Sequence, residues 1–161
     1  MLLWHVAAVV FLFRWIFRDP GVDHRFLVIG AIAPDLVDRG LAAMLGLEVV
    51  EAWSHTLLGP TLLAIVVLVV TRRGERRKAW MALVVAVFFH LLIDGVWRDG
   101  ALFGWPLLGT EFVPRFDGSW GAAVERAFSD PWRWVREAVG LVYLLSIRAG
   151  RPGSHAAETA G

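Results

Sequence analysis

Apolar residues gather into five stretches of this 161-residue chain, at about 2–17, 26–46, 55–71, 79–97 and 133–148, with short polar breaks between them. The pattern predicts an all-α chain, a bundle of four to five apolar helices. Several stretches fall short of the ~20 residues that cross a bilayer upright. A helix of ~15 residues covers only ~22 Å, so a tilted or locally thinned arrangement is expected, with arginines snorkelling at the ends. There is no internal repeat. Residues 1–148 read as one integral membrane domain, and the Gly/Ala/polar segment 149–161 as a disordered tail.

Composition points the same way. Hydrophobic residues make up 57% and charged residues 19%, against about 25% charged in an average soluble domain, and the mean hydropathy is +0.58. The surplus apolar surface calls for a non-aqueous partner, and lipid is the simplest. A net charge of +1, with basic residues scattered, gives no case for nucleic-acid binding. Without cysteine, any metal must be held by nitrogen and oxygen. The first apolar stretch lacks a basic residue before it and a small-residue cleavage site after it, so it is expected to be a retained helix rather than a signal peptide.

The break Thr71-Arg72-Arg73-Gly74-Glu75-Arg76-Arg77-Lys78 holds five positive charges in eight residues. The positive-inside rule makes it cytoplasmic. Alternating crossings then put the N-terminus outside and the C-terminus inside, in a plasma (inner) membrane. Arg14, Arg18 and Arg25 fall on the inside turn, and Arg148 and Arg151 follow the last stretch. Trp4, Trp53 and Trp97 sit near the outer interface, Trp15 and Trp80 near the inner one. Residues 98–131 become the largest outside piece. Gly104-Trp105-Pro106 and Gly118-Ser119-Trp120 suggest an extracytoplasmic loop or re-entrant cap, and Ser129-Asp130-Pro131 a helix start.

With that topology, ionisable residues collect at the outer ends of the first four stretches. His5 opens the first, Asp35 and Asp38 lie in the second, His55 opens the third, and His90 and Asp94 close the fourth. Neighbouring stretches run in opposite directions, yet all these residues fall at one depth. His90 and Asp94, four apart, share a helix face, and so do Asp35 and Asp38, three apart. Imidazoles and carboxylates together suit a divalent cation such as zinc or manganese. Taken singly, each has an ordinary explanation: a helix cap at Asp35, a surface pair at Asp38 and Arg39, a headgroup-level His5. A charge at the bilayer centre costs ~2.5–3.5 kcal/mol even on permissive scales, so several at one level must satisfy one another. His24, on the inside turn, and His155, in the tail, are set aside.

Three segments carry a resemblance: Gly30 to Arg39 with its Pro-Asp-Leu-Val-Asp core, Ser54-His55-Thr56-Leu57-Leu58, and His90-Leu91-Leu92-Ile93-Asp94. In order and spacing they look like the membrane-bound metal-dependent hydrolase family, also called YdjM-like or DUF457. Leu102-Phe103-Gly104-Trp105-Pro106-Leu107-Leu108-Gly109 is similar to that family's aromatic-Trp-Pro stretch. The resemblance runs from His5 to about Gly109 and implies a membrane helix bundle with a metal centre. Many members carry a second histidine where this chain has Val50 and Glu51, and many space their aspartates Asp-x-Asp where two residues intervene here.

The resemblance implies metal-assisted hydrolysis. Asp35, His55, His90 and Asp94 would hold the ion, which lowers the pKa of a bound water towards ~7. His5 is a further ligand or a proton carrier. Asp38 takes the water's proton or orients a ligand histidine. Arg39 and Arg98 neutralise an anionic substrate, with a phosphoester of a lipid-like molecule the natural choice at headgroup depth. A non-enzymatic metal-binding or ion-handling protein would use the same ligands. A purely structural interhelical hydrogen-bond lock would need no metal.

Overall fold

Among the residues described by the computed structural model, 2–19, 21–46, 51–112 and 128–149, all regular structure is helical. The five stretches become helices α1 (Leu2–Phe17), α2 (His24–Leu45), α3 (Leu58–Val70), α4 (Glu75–Asp94) and α6 (Pro131–Ala149), with a four-residue α5 (Gly100–Phe103) between the last two. The proposed tail from 150 onwards and the Gly118-Ser119-Trp120 turn lie outside the described residues.

Local chemistry places the ends. Asp23 caps α2, its side chain accepting from the Arg25 N–H, and Gly46, in the left-handed region at φ 65°, closes it. Asp130 accepts from the Trp132 N–H at 3.0 Å, and Pro131 opens α6 at a position where a missing N–H is harmless. Three ends differ from the sequence expectation. The third helix starts at Leu58 rather than 55, because Thr56 is extended and its hydroxyl accepts from the Gly59 N–H. His55 therefore sits in a separate 3₁₀ turn, Trp53–His55. The fourth helix begins at Glu75 and draws Arg76, Arg77 and Lys78 into its first turn, and it stops at Gly95, in the left-handed region at φ 68°, rather than running to 97.

The basic break has a structural use as well as its charge. Arg77 donates to the Leu68 carbonyl at 3.0 Å, and also to the Thr71 carbonyl and hydroxyl, so it closes the C-terminal end of α3. Lys78 pairs with Asp19 at 2.7 Å across the α1–α2 turn. That ammonium, with the Gly21 N–H, holds the Asp19 carboxyl below its usual range, and Asp19 in turn raises Lys78.

The α2–α4 pair forms the centre of the bundle, with small residues at its seam. Gly30 and Ala31 of α2 face Ala82, Leu83 and Ala86 of α4. A Cβ on Gly30 would lie 2.6 Å from both the Ala86 Cβ and the Leu83 carbonyl oxygen, so the backbones approach as closely as glycine permits. Val6, Val9, Val10 and Phe13 of α1 complete the main core, and Leu91, Val96 and Leu102 anchor a second cluster under the α5 segment. Gly30→Leu is expected to destabilise the fold by roughly 1–3 kcal/mol through overpacking. A melt of the detergent-purified variant within 0.5 kcal/mol of wild type, on this same scale, would contradict that close approach.

The described part of the 98–131 segment is folded. Asp99 caps α5, and the Leu57 N–H donates to the Phe103 carbonyl at 2.9 Å, which ties α5 to the start of α3. Phe112 lies against both Trp53 and Trp105. No described helix is long and apolar enough to cross a membrane. The longest, α2 and α4, have charged residues within them, and α3, which is almost wholly apolar, has 13 residues and spans about 20 Å.

Candidate metal centre

Two histidines with opposite attachments meet in the interior. His55 comes from the 3₁₀ turn and His90 from the last part of α4, both fully buried at 0% exposure. Each has one ring nitrogen committed. His90 Nδ1 donates to the Ala31 carbonyl at 2.7 Å. Ala31 lies in the turn before Pro34, whose ring crowds the preceding carbonyls and removes one helical N–H. His55 Nδ1 donates to Asp38 Oδ2 at 2.7 Å. Both rings therefore point Nε2 to one place, and the two Nε2 atoms are 3.4 Å apart.

Two carboxylates complete the cluster. Asp94 Oδ2 lies 3.0 Å from His90 Nε2 and 3.7 Å from His55 Nε2. Asp35 Oδ1 lies 3.7 Å from His55 Nε2 and 3.9 Å from His90 Nε2. All four ligand atoms fall within 4.8 Å of one another, so the group could hold a metal ion. A tetrahedral ion with bonds of ~2.0–2.1 Å sets its ligands about 3.3–3.4 Å apart, and the observed separations bracket that edge. The chemistry of the donors agrees. In their neutral forms, two imidazoles whose Nδ1 atoms already donate cannot hydrogen-bond to each other, whereas a cation between them would satisfy both lone pairs and both carboxylates.

The rest of the polar set surrounds these four. Asp38 is only 1% exposed and faces away from the centre. Its Oδ2 also accepts from the Ala52 N–H at 2.7 Å, and its Oδ1 from the Ser54 N–H at 3.0 Å. His5, on the first turn of α1, donates from Nε2 to Asp94 Oδ1 at 2.5 Å, and its ring lies 5.0 Å from that of His90, so it borders the cluster. Arg39 approaches the outer oxygen of Asp35 at 3.9 Å and is otherwise exposed. Arg98 is not brought to the cluster; its guanidinium lies over the Trp97 ring, 5.2 Å from the centroid. The histidines are sealed, but the side chains of Asp94 and Asp35 keep 20% and 31% of their surface. Access is from the carboxylate side.

Sequence reasoning missed the supporting groups. Ser54, whose hydroxyl donates to the Pro34 carbonyl at 2.8 Å, locks the His55 turn onto α2, and its place beside His55 was the available signal. The Ala31 carbonyl and the Ala52 N–H are backbone groups, and no residue type announces them.

A sequence model of the family described as YdjM inner membrane protein matches residues 2–155, and the chain belongs to that family. The family is one of inner membrane proteins. No curated protein and no solved structure gives a significant match.

Proposed function

We propose that this chain is an integral membrane hydrolase that uses a divalent ion, zinc or manganese, held by Asp35, His55, His90 and Asp94. The observation that carries the reading is the pair of facing Nε2 atoms, 3.4 Å apart, on rings whose Nδ1 atoms already donate elsewhere. Membrane residence is supported by the family and by the large apolar side chains left exposed on α3 and α6, among them Ile65, Val69, Val142 and Leu145. The small-residue seam of α2 and α4 is the packing that lipid-embedded helices favour. Short helices enter such a bilayer by tilting or thinning it. The cluster lies at the His5 end of α1 and the basic break at the other, which supports an outward-facing site with the N-terminus outside.

A divalent ion in this position supplies Lewis acidity, which brings water within reach as a nucleophile near neutral pH. The chain's own groups do the rest. His55 and His90 bind through Nε2, and Asp35 and Asp94 offset the positive charge. Asp38 and the Ala31 carbonyl hold the two rings in the binding tautomer. His5 keeps a proton at Nε2 against Asp94 Oδ1. Arg39, on the accessible side, holds an anionic group, which favours a phosphoester of a lipid-like substrate.

Elemental analysis of detergent-purified protein, followed by incubation with phosphoester and carboxyl-ester amphiphiles, tests this. The phosphoester is expected to be cleaved, with the activity lost on chelation and restored by Zn²⁺ or Mn²⁺. A preparation that binds the ion and cleaves neither amphiphile would overturn the hydrolase reading. Chelation is also expected to lower the melting temperature, since ligands that bind only the folded state stabilise it. An interhelical hydrogen-bond lock would leave the melting temperature unmoved.

A further inference from the structure

The geometry points to α6 as a positioning element for the metal centre, acting through the first turn of α1 and His5; this rests on the centre proposed above. Helix α1 begins with backbone N–H groups that its own helix cannot satisfy. The Leu3 N–H donates to Glu137 Oε2 of α6 at 2.9 Å, which also sets a carboxylate against the positive end of the α1 dipole. One turn along α6, on the same face, stands Gly140, the one buried residue of that helix. A Cβ there would meet the Leu3 carbonyl carbon and oxygen at 2.8 Å and the Trp4 nitrogen at 2.9 Å. These are backbone atoms within a helical turn, so no side-chain rotation relieves the contact.

The turn held in this way carries the next residue, His5. Its Nε2 donates to Asp94 Oδ1, and the other oxygen of Asp94 faces His90 and His55. The mechanical path is therefore short: Glu137 and Gly140 fix Leu3 and Trp4, these fix His5, and His5 fixes the rotation of the Asp94 carboxylate. Further along, Tyr143, Leu144 and Ile147 pack on the core that α1 shares with α2 and α4, so displacing Gly140 tilts α6 about contacts that remain. Glu137 and Gly140 act by position.

Zn²⁺ affinity in a double-mutant cycle is the test, measured on full-length detergent-purified protein by competition with a chromophoric chelator. His5→Ala is expected to weaken Zn²⁺ binding about 10-fold, the low end for groups that orient ligands. Gly140→Leu is expected to weaken it similarly, and the double variant is expected to be no worse than His5→Ala alone, because both act at one point. Glu137→Gln, a milder change, covers the case in which Gly140→Leu fails to fold; it is expected to weaken binding several-fold in the wild-type background and not at all in His5→Ala. Wild-type affinity in Glu137→Gln and in folded Gly140→Leu would overturn the inference, as would effects that add fully to His5→Ala. His90→Ala separates the two levels. If wild type binds Zn²⁺ and His90→Ala does not, a negative cycle removes only the role of α6. If wild type binds none, the centre itself falls.

Discussion

His90→Ala purified in detergent is expected to contain almost no metal where the wild type contains close to one ion per chain. The expectation follows from what surrounds the ring. His90 is fully buried, and its Nε2 is the atom nearest to both His55 Nε2 and Asp94 Oδ2. Alanine removes a ligand from the interior of the group, and His5, the nearest remaining imidazole, is already engaged with Asp94 Oδ1. Three ligands remain, of which the two carboxylates are partly exposed and free to relax outward. The variant is expected to fold, since it loses a buried ring that packs against His5 and His55 but gains no unpaired charge. Elemental analysis beside a melting curve checks both parts. Wild-type metal content in His90→Ala would remove the centre.

Asp38→Asn is expected to weaken metal binding about 10–100-fold and to cost about 1–3 kcal/mol of stability. The two effects share a cause. Asp38 accepts from three donors, His55 Nδ1 and the N–H groups of Ala52 and Ser54, in a place almost without solvent. An asparagine of the same shape keeps one acceptor oxygen and turns an NH₂ towards a donor, so at least one buried N–H loses its partner. If the lost partner is His55 Nδ1, the imidazole is free to take the tautomer with its proton on Nε2, which cannot bind the ion. A variant that keeps wild-type Zn²⁺ affinity while losing stability would show Asp38 to be a clamp on the Trp53–His55 turn alone. Unchanged melting and unchanged affinity would contradict the hydrogen-bond geometry itself.

Much of this arrangement was legible along the chain. Five apolar stretches became the five long helices to within a few residues, because long apolar runs have few other ways to satisfy their backbone. The i,i+4 spacing of His90 and Asp94 put both on one face before any packing was known. The helix start at Pro131 could be read from Asp130 and Pro131 alone. The His55 turn could not: an apolar run from 55 to 71 looks continuous, and only the extended conformation at Thr56 breaks it. The start of α4 was missed for a related reason. Charged residues read as a loop, while Arg76 to Lys78 are tolerated in a first turn that Glu75 opens and Arg77 ties back to α3.

What divides the two levels is the range of the forces involved. Periodicity, capping and the placement of ionisable residues at one depth are local or additive, and the chain alone determined an all-helical bundle with His5, Asp35, Asp38, His55, His90 and Asp94 near one end. How those six stand relative to one another was decided only by tertiary structure. Asp38 and Asp35 are three residues apart on one helix, yet one turns back to orient His55 while the other joins the cluster, because the 3₁₀ turn packs over Asp38. His5 reaches Asp94 from a turn of α1 whose Leu3 N–H donates to Glu137, over 130 residues away in sequence. Hydrogen-bond direction depends on which backbone groups arrive at a side chain, and such arrivals are long-range consequences of packing that no spacing along the chain encodes.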